Sequence, residues 1–130
     1  MADQSALDVA VAYTEAWAAG HLEVAAGYLA GDVVFDGPFA HYESAEPLMQ
    51  GLARFVAQIA PGWRQIAAVA QGEQVMLMYE VFLPSGKALR TAEHFTVRDG
   101  RIRSETIVFD SLVLHTAKAE AQARAQVVQA

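Results

Sequence analysis

The sequence predicts an α+β fold, with three helices from the N-terminal half laid on one face of a curved antiparallel sheet. Three observations carry that expectation. Helical spacing of apolar residues recurs in the first half of the chain, from Ser5 to Ile59. Four alternating segments follow between Trp63 and Asp110. The turns Pro84-Ser85-Gly86 and Asp99-Gly100 punctuate them, and Asp-Gly between alternating strands is a strong hairpin signal.

The first element is an amphipathic helix from Ser5 to Ala19, with Leu7, Ala10, Tyr13, Thr14 and Trp17 on one arc. Gly20 ends it. A short helix over Leu22–Leu29 stops at Gly31-Asp32, and Val33–Phe35 forms a brief strand before the turn Asp36-Gly37-Pro38. Ser44 is a good N-cap for a third helix that tolerates Pro47 in its first turn. Leu48, Leu52, Phe55 and Ile59 repeat at helical spacing until Pro61-Gly62. The strands then run over Trp63–Ala70, Gln74–Leu83, Lys87–Arg98 and Arg101–Asp110. Residues 1–112 read as one domain and 113–130 as an Ala/Gln-rich tail, helical by propensity but weakly apolar.

Composition narrows the function classes. A chain of 130 residues, 54% hydrophobic and with few prolines, has enough apolar material for one cored domain. A net charge of −6 with scattered Lys and Arg argues against nucleic acid as a partner. There is no cysteine, which removes disulfides, thiolate metal sites and thiol nucleophiles. Met1–Ala6 lacks the basic and apolar regions of a signal peptide, and no apolar run reaches membrane-spanning length, so a cytoplasmic protein is expected. Neither a nucleotide-binding glycine loop, a Gly-x-Ser-x-Gly elbow, nor local His-carboxylate metal spacing occurs, so no cofactor and no metal are expected.

Glu93 is the residue that breaks the pattern. One face of its strand reads Leu89, Thr91, Glu93, Phe95 and Val97, while the other carries Arg90, His94 and Arg98. An acid among apolar neighbours must be protonated, paired or set in a wet pocket wall. Tyr13, on the buried arc, is either a core residue with its hydroxyl at the rim or a pocket donor. Asp36, sharing parity with Val34, is either a turn-initiating acid or a pocket acid. Asp110 closes the last strand on the face of Ile102, Thr106 and Val108, as a strand-end cap or a second pocket acid. His41 and Tyr42 lie in a loop able to overhang a pocket mouth, with a plain surface loop the better reading. His94 points away from Glu93.

The segments Ala12-Tyr13-Thr14-Glu15-Ala16-Trp17-Ala18-Ala19-Gly20, Asp32-Val33-Val34-Phe35-Asp36-Gly37-Pro38 and Val97-Arg98-Asp99-Gly100-Arg101-Ile102 resemble the nuclear-transport-factor-like superfamily. Its SnoaL-like and ketosteroid-isomerase-like branches are the nearest match, over residues 5 to 110 or so. The resemblance implies a conical, cystatin-like α+β barrel around an apolar cavity, and a homodimer. It also implies roles: Asp36 as a base beside a carbonyl, with Tyr13 and a protonated Glu93, in Glu93-His94-Phe95, as donors to the enolate oxygen. This chain departs from the isomerase pattern in carrying Glu at 93 and in placing Gly37 between Asp36 and Pro38.

Two functional readings follow. The first is a cofactor-free isomerase or cyclase moving a proton next to a carbonyl of a small apolar ligand, with Asp36, Tyr13, Glu93 and secondarily Asp110 as catalytic residues. The second is a non-catalytic ligand-binding or dimerising module. Either would be lined by Trp17, Phe35, Phe55, Trp63, Met78 and Phe95, with Met76 and Phe82 as further apolar candidates. Epoxide hydrolysis, which needs an acid-Arg-acid set, is disfavoured because Arg90 has the opposite strand parity to Glu93.

Overall fold

The computed structural model describes residues 5–129; Met1–Gln4, most of the stretch read for a targeting signal, lies outside them, as does Ala130. The elements are α1 (Ala6–Ala18), α2 (Leu22–Ala26), β1 (Leu29–Asp36), β2 (His41–Tyr42), α3 (Ala45–Val56), β3 (Ala60–Gln71), β4 (Gln74–Phe82), β5 (Ala88–Arg98), β6 (Arg101–Phe109) and α4 (Ser111–Gln129). Six strands form one curved, open sheet in the order β2-β1-β6-β5-β4-β3.

Strands β3 to β6 are the expected antiparallel meander. Asp99 and Gly100 take φ of 55° and 72°, the two left-handed residues that a tight type I′ hairpin requires. Two departures have tertiary causes. β1 starts at Leu29 and runs parallel to β6, with Leu29 opposite Ile102 and Phe35 opposite Glu105. That pairing recruits residues that local spacing alone assigns to the second helix. β3 begins at Ala60 and carries Pro61-Gly62 inside it, with an irregular register between Ala60 and Arg64. An edge strand can hold a proline because one row of its backbone donors has no partner strand.

The helices obey their local signals. The Ser5 hydroxyl accepts a bond from the Asp8 amide at 3.1 Å, capping α1. Gly20, at φ 85°, reverses the chain while its amide bonds the Trp17 carbonyl. Helix α3 starts after Ser44, although that side chain makes no capping bond. Helix α4 presses Val113, Leu114 and Ala117 onto the body and leaves much of its remaining surface exposed. No helix among the described residues is long and apolar enough to cross a membrane.

The core lies between α1 and the concave face of the sheet. Val9, Ala10, Tyr13 and Trp17 pack there against Val75, Leu77, Tyr79 and Val81 of β4 and Leu89, Phe95 and Val97 of β5. Phe95 is wholly buried, its ring edge-on to Tyr13 at 6.3 Å between centroids. Phe95→Ala is expected to destabilise the fold by about 3–5 kcal/mol in a denaturant titration, since it removes a large side chain that neighbours cannot replace.

The convex face is different. Glu80, only 5% exposed, is clamped by Arg64 Nε at 3.0 Å and Arg90 Nε at 3.2 Å. Chiefly the Arg64 hydrogen bond, with Arg90 adding to it, holds the Glu80 carboxyl below its ordinary value. Beside this clamp, Ala67, Met78, Ala92 and Val108 stand in register across four strands.

Candidate functional site

A cavity of about 360 Å³ opens between the inner face of the sheet and helices α1 and α3, with α4 at its rim. Trp17, Phe35, Phe55, Leu48 and Phe109 make its walls apolar. Two carboxyls also face it, Glu93 and Glu105, each 2% exposed. They come from adjacent strands: Glu93 sits opposite Ile107, and Glu105 opposite Phe95. They are therefore diagonal neighbours on one face, within reach of long side chains.

The two acids are held by two buried tyrosines. Tyr79 donates to Glu93 Oε1 at 2.8 Å, and Tyr13 donates to Glu105 Oε2 at 3.4 Å. Tyr79 is wedged edge-on between Trp17 and Trp63, with centroids 6.0 and 5.7 Å away, which fixes its hydroxyl. The two carboxyls also lie close enough that each shifts the other's titration. Burial, and then the neighbouring charge of Glu93, pushes the Glu105 carboxyl well above its ordinary value. Burial also raises Glu93, against the lowering influence of Glu105 and of the Tyr79 hydrogen bond. Both phenols are driven up by burial and by the adjacent acids, so they act as neutral donors.

This arrangement can hold a proton between two carboxyls in a dry place. Like charges that close, without a cation beside them, do not both ionise readily. One member can then accept a proton while the other donates one.

The expected residues divide. Tyr13, Glu93, Trp17, Phe35 and Phe55 all line the cavity. Asp36 does not: its side chain is 66% exposed and faces His41 Nδ1 at 3.7 Å. Strand parity explains this, because Val33 and Phe35 turn inward and Val34 and Asp36 outward. Asp110 is also outside, exposed beyond the strand end, where its Oδ1 accepts the Leu112 amide at 3.0 Å at the start of α4. Met78 is 41% exposed on the convex face, and Met76 shares that side. Phe95 and Trp63 lie behind the cavity, supporting Tyr13 and Tyr79 rather than lining it. Tyr42 does line it, and packs on Phe35. His41 is exposed, and His94 bonds Gln74 on the far face.

Glu105 and Tyr79 are the residues that sequence reasoning missed. Simple alternation from Ile102 sends Thr106 and Val108 inward and Glu105 outward. The register slips instead, with Val97 opposite Ile102 but Thr96 opposite Ser104, so Arg103 is an extra residue. Beyond it Glu105, Ile107 and Phe109 face inward while Val108 is 58% exposed. The inward row Ile107 and Phe109 is a signal that the sequence does contain. Among the described residues, no three His, Asp or Glu side chains stand together as a metal site would need.

The SnoaL-like domain family matches residues 10–105. No protein of curated function matches the sequence. A crystal structure from Kribbella flavida DSM 17836 superposes with a TM-score of 0.85 at 28% identity, covering 92% of this chain and 98% of that one. An NTF2-like protein of unknown function from Cytophaga hutchinsonii ATCC 33406 gives 0.73 at 21% identity, over 88% and 99% of the two chains. An LEH-like epoxide hydrolase from M. tuberculosis gives 0.72 at 18% identity, over 96% of each. These last two likenesses speak for the fold alone. With a family match spanning most of its length, the chain belongs to the SnoaL-like domain family, and its curved sheet shares the fold of an NTF2-like protein.

Proposed function

We propose that the cavity takes a small, largely apolar, carbonyl-bearing ligand and that Glu93 and Glu105 move a proton at the carbon next to its carbonyl, as a cofactor-free isomerase or cyclase would. The observation that carries this is the pair of buried acids, Glu93 and Glu105, facing a hollow whose inner walls are largely apolar. Glu93, held by the Tyr79 hydroxyl, serves as the base. Glu105, in its protonated form, and Tyr13 donate to the carbonyl oxygen as negative charge develops on it. In a ligand with a nearby double bond, the proton taken from carbon returns two carbons further along the resulting dienolate and shifts that double bond; alternatively the enolate attacks a second carbonyl within the same molecule, and the new alkoxide takes the proton back. Either course balances without an external reagent.

The role expected of Asp36 passes in this reading to Glu93, and that of Glu93 to Glu105. Epoxide opening is less well supported, since among the described residues no arginine pairs with either acid: Arg90 is bound to Glu80 on the other face. The test is deuterium uptake from solvent at the carbon next to the carbonyl of small cyclic ketones, followed by mass spectrometry. Uptake by the wild type that is lost in Glu93→Gln is the expected result. Ketones that bind and shift tryptophan emission without any uptake would favour the non-catalytic reading, which the tyrosine bonds already satisfying both acids also support.

A homodimer formed through the convex face belongs to the same proposal. Val69, Met76, Met78 and Val108 are 65%, 46%, 41% and 58% exposed on that side, an apolar patch of the kind partners cover. Met78→Glu is expected to convert a dimer to monomers in sedimentation velocity; a wild-type monomer would end this part of the reading.

A further inference from the structure

The cavity has a second charged zone, opposite in sign and position to the acid pair. Arg54 in the last turn of α3 and His115 and Lys118 on α4 line the same hollow at its exposed rim. Among the described residues, Arg64, Arg90, Arg98 and Arg103 pair with carboxylates, whereas Arg54 and Lys118, like Lys87, Arg101 and Arg124, have none within ion-pair distance. Neither finds an acid three or four residues away along its helix: Arg54 faces Gln50, Gly51, Ala57 and Gln58, and Lys118 faces Leu114, His115, Ala121 and Gln122. Of these unpaired cations, only Arg54 and Lys118 line the cavity that holds the acid pair, which concentrates positive charge at its opening in a chain of net charge −6.

We infer that the ligand carries an anionic group, a carboxylate or a comparable acid, that rests on Arg54 and Lys118 while its apolar, carbonyl-bearing body reaches the acid pair. This rests on the proposed use of the cavity and names the substrate class for it: an amphipathic keto acid or its like, rather than a neutral hydrocarbon-rich ketone. The layout fixes orientation. The buried pair, holding negative charge, repels an anion from the floor, and the two cations attract it to the rim, so the ligand enters body first. Lys118 and His115 belong to α4, so an anion at the rim also ties that helix to α3 across the opening.

The experiment compares two fluorescent probes with the same aromatic body, the anionic anilinonaphthalene sulfonate and the neutral phenylnaphthylamine. In the double variant Arg54→Gln/Lys118→Gln, sulfonate binding is expected to weaken by about tenfold, as the loss of two partly exposed charge contacts implies. Binding of the neutral probe is expected to stay the same, and high salt should weaken only the sulfonate in the wild type. Leu52→Trp, which fills the cavity, is expected to abolish both. If both probes are blocked by Leu52→Trp but the double variant and salt treat them alike, the anionic group is overturned and the cavity reading stands. If neither probe binds, or Leu52→Trp changes neither, the cavity reading itself falls and takes this inference with it.

Discussion

Glu93→Gln is expected to slow deuterium uptake by a bound ketone about 10²–10⁴-fold, the range in which a positioned general base contributes. The amide keeps the shape of the carboxylate and can still accept from Tyr79, so the loss should appear in turnover rather than in ligand affinity. Asp36→Asn, on the outer face beside His41, is expected to change neither. That contrast separates a base in the cavity from one placed by strand position alone. The wild-type rate should rise as the pair loses its first proton, above the usual carboxylate range because burial has raised both acids. It should fall again when the second proton leaves and no acid remains to donate. Equal loss in Asp36→Asn and Glu93→Gln would place the chemistry elsewhere.

Glu105→Gln is expected to make the protein more stable than the wild type at alkaline pH and no more stable near pH 4. In the unfolded chain both acids ionise around their ordinary value of 4.5, whereas in the fold burial holds their protons to higher pH. A raised carboxyl contributes stability that is fully present below the unfolded value and is lost as pH rises through the folded one. The wild type therefore carries a growing cost above that window, as two like charges are forced into one dry space. The amide removes one of them while retaining a donor for Glu93 and an acceptor for Tyr13. Glu73 and Glu80, lowered by their arginines, act in the opposite sense and gain stability on leaving acid pH. They are common to both proteins, so the difference in melting temperature across pH isolates the pair. A difference that shrinks as pH rises would refute the shared-proton account.

Glu93 was legible in the sequence because β5 alternates without interruption, so one acid among Leu89, Phe95 and Val97 had to face inward. Tyr13 and Trp17 were legible for the same reason at helical period. In β4 both alternate rows are apolar: Met76 and Met78 face out, and Val75, Leu77 and Tyr79 face in. Hydrophobicity could not choose between them, because one row meets helices and the other lies on the convex face.

Local periodicity and turn chemistry by themselves determined the helices, the meander, the Asp99-Gly100 hairpin and one inward acid, since each depends on neighbours a few residues apart. Only the tertiary structure decided which acids meet. The extra residue at Arg103 inverts β6 and brings Glu105 to Glu93, and the parallel pairing of β1 turns Asp36 outward. Both outcomes depend on the register between strands distant in sequence, and register is set by how a whole face packs rather than by any residue's own preference.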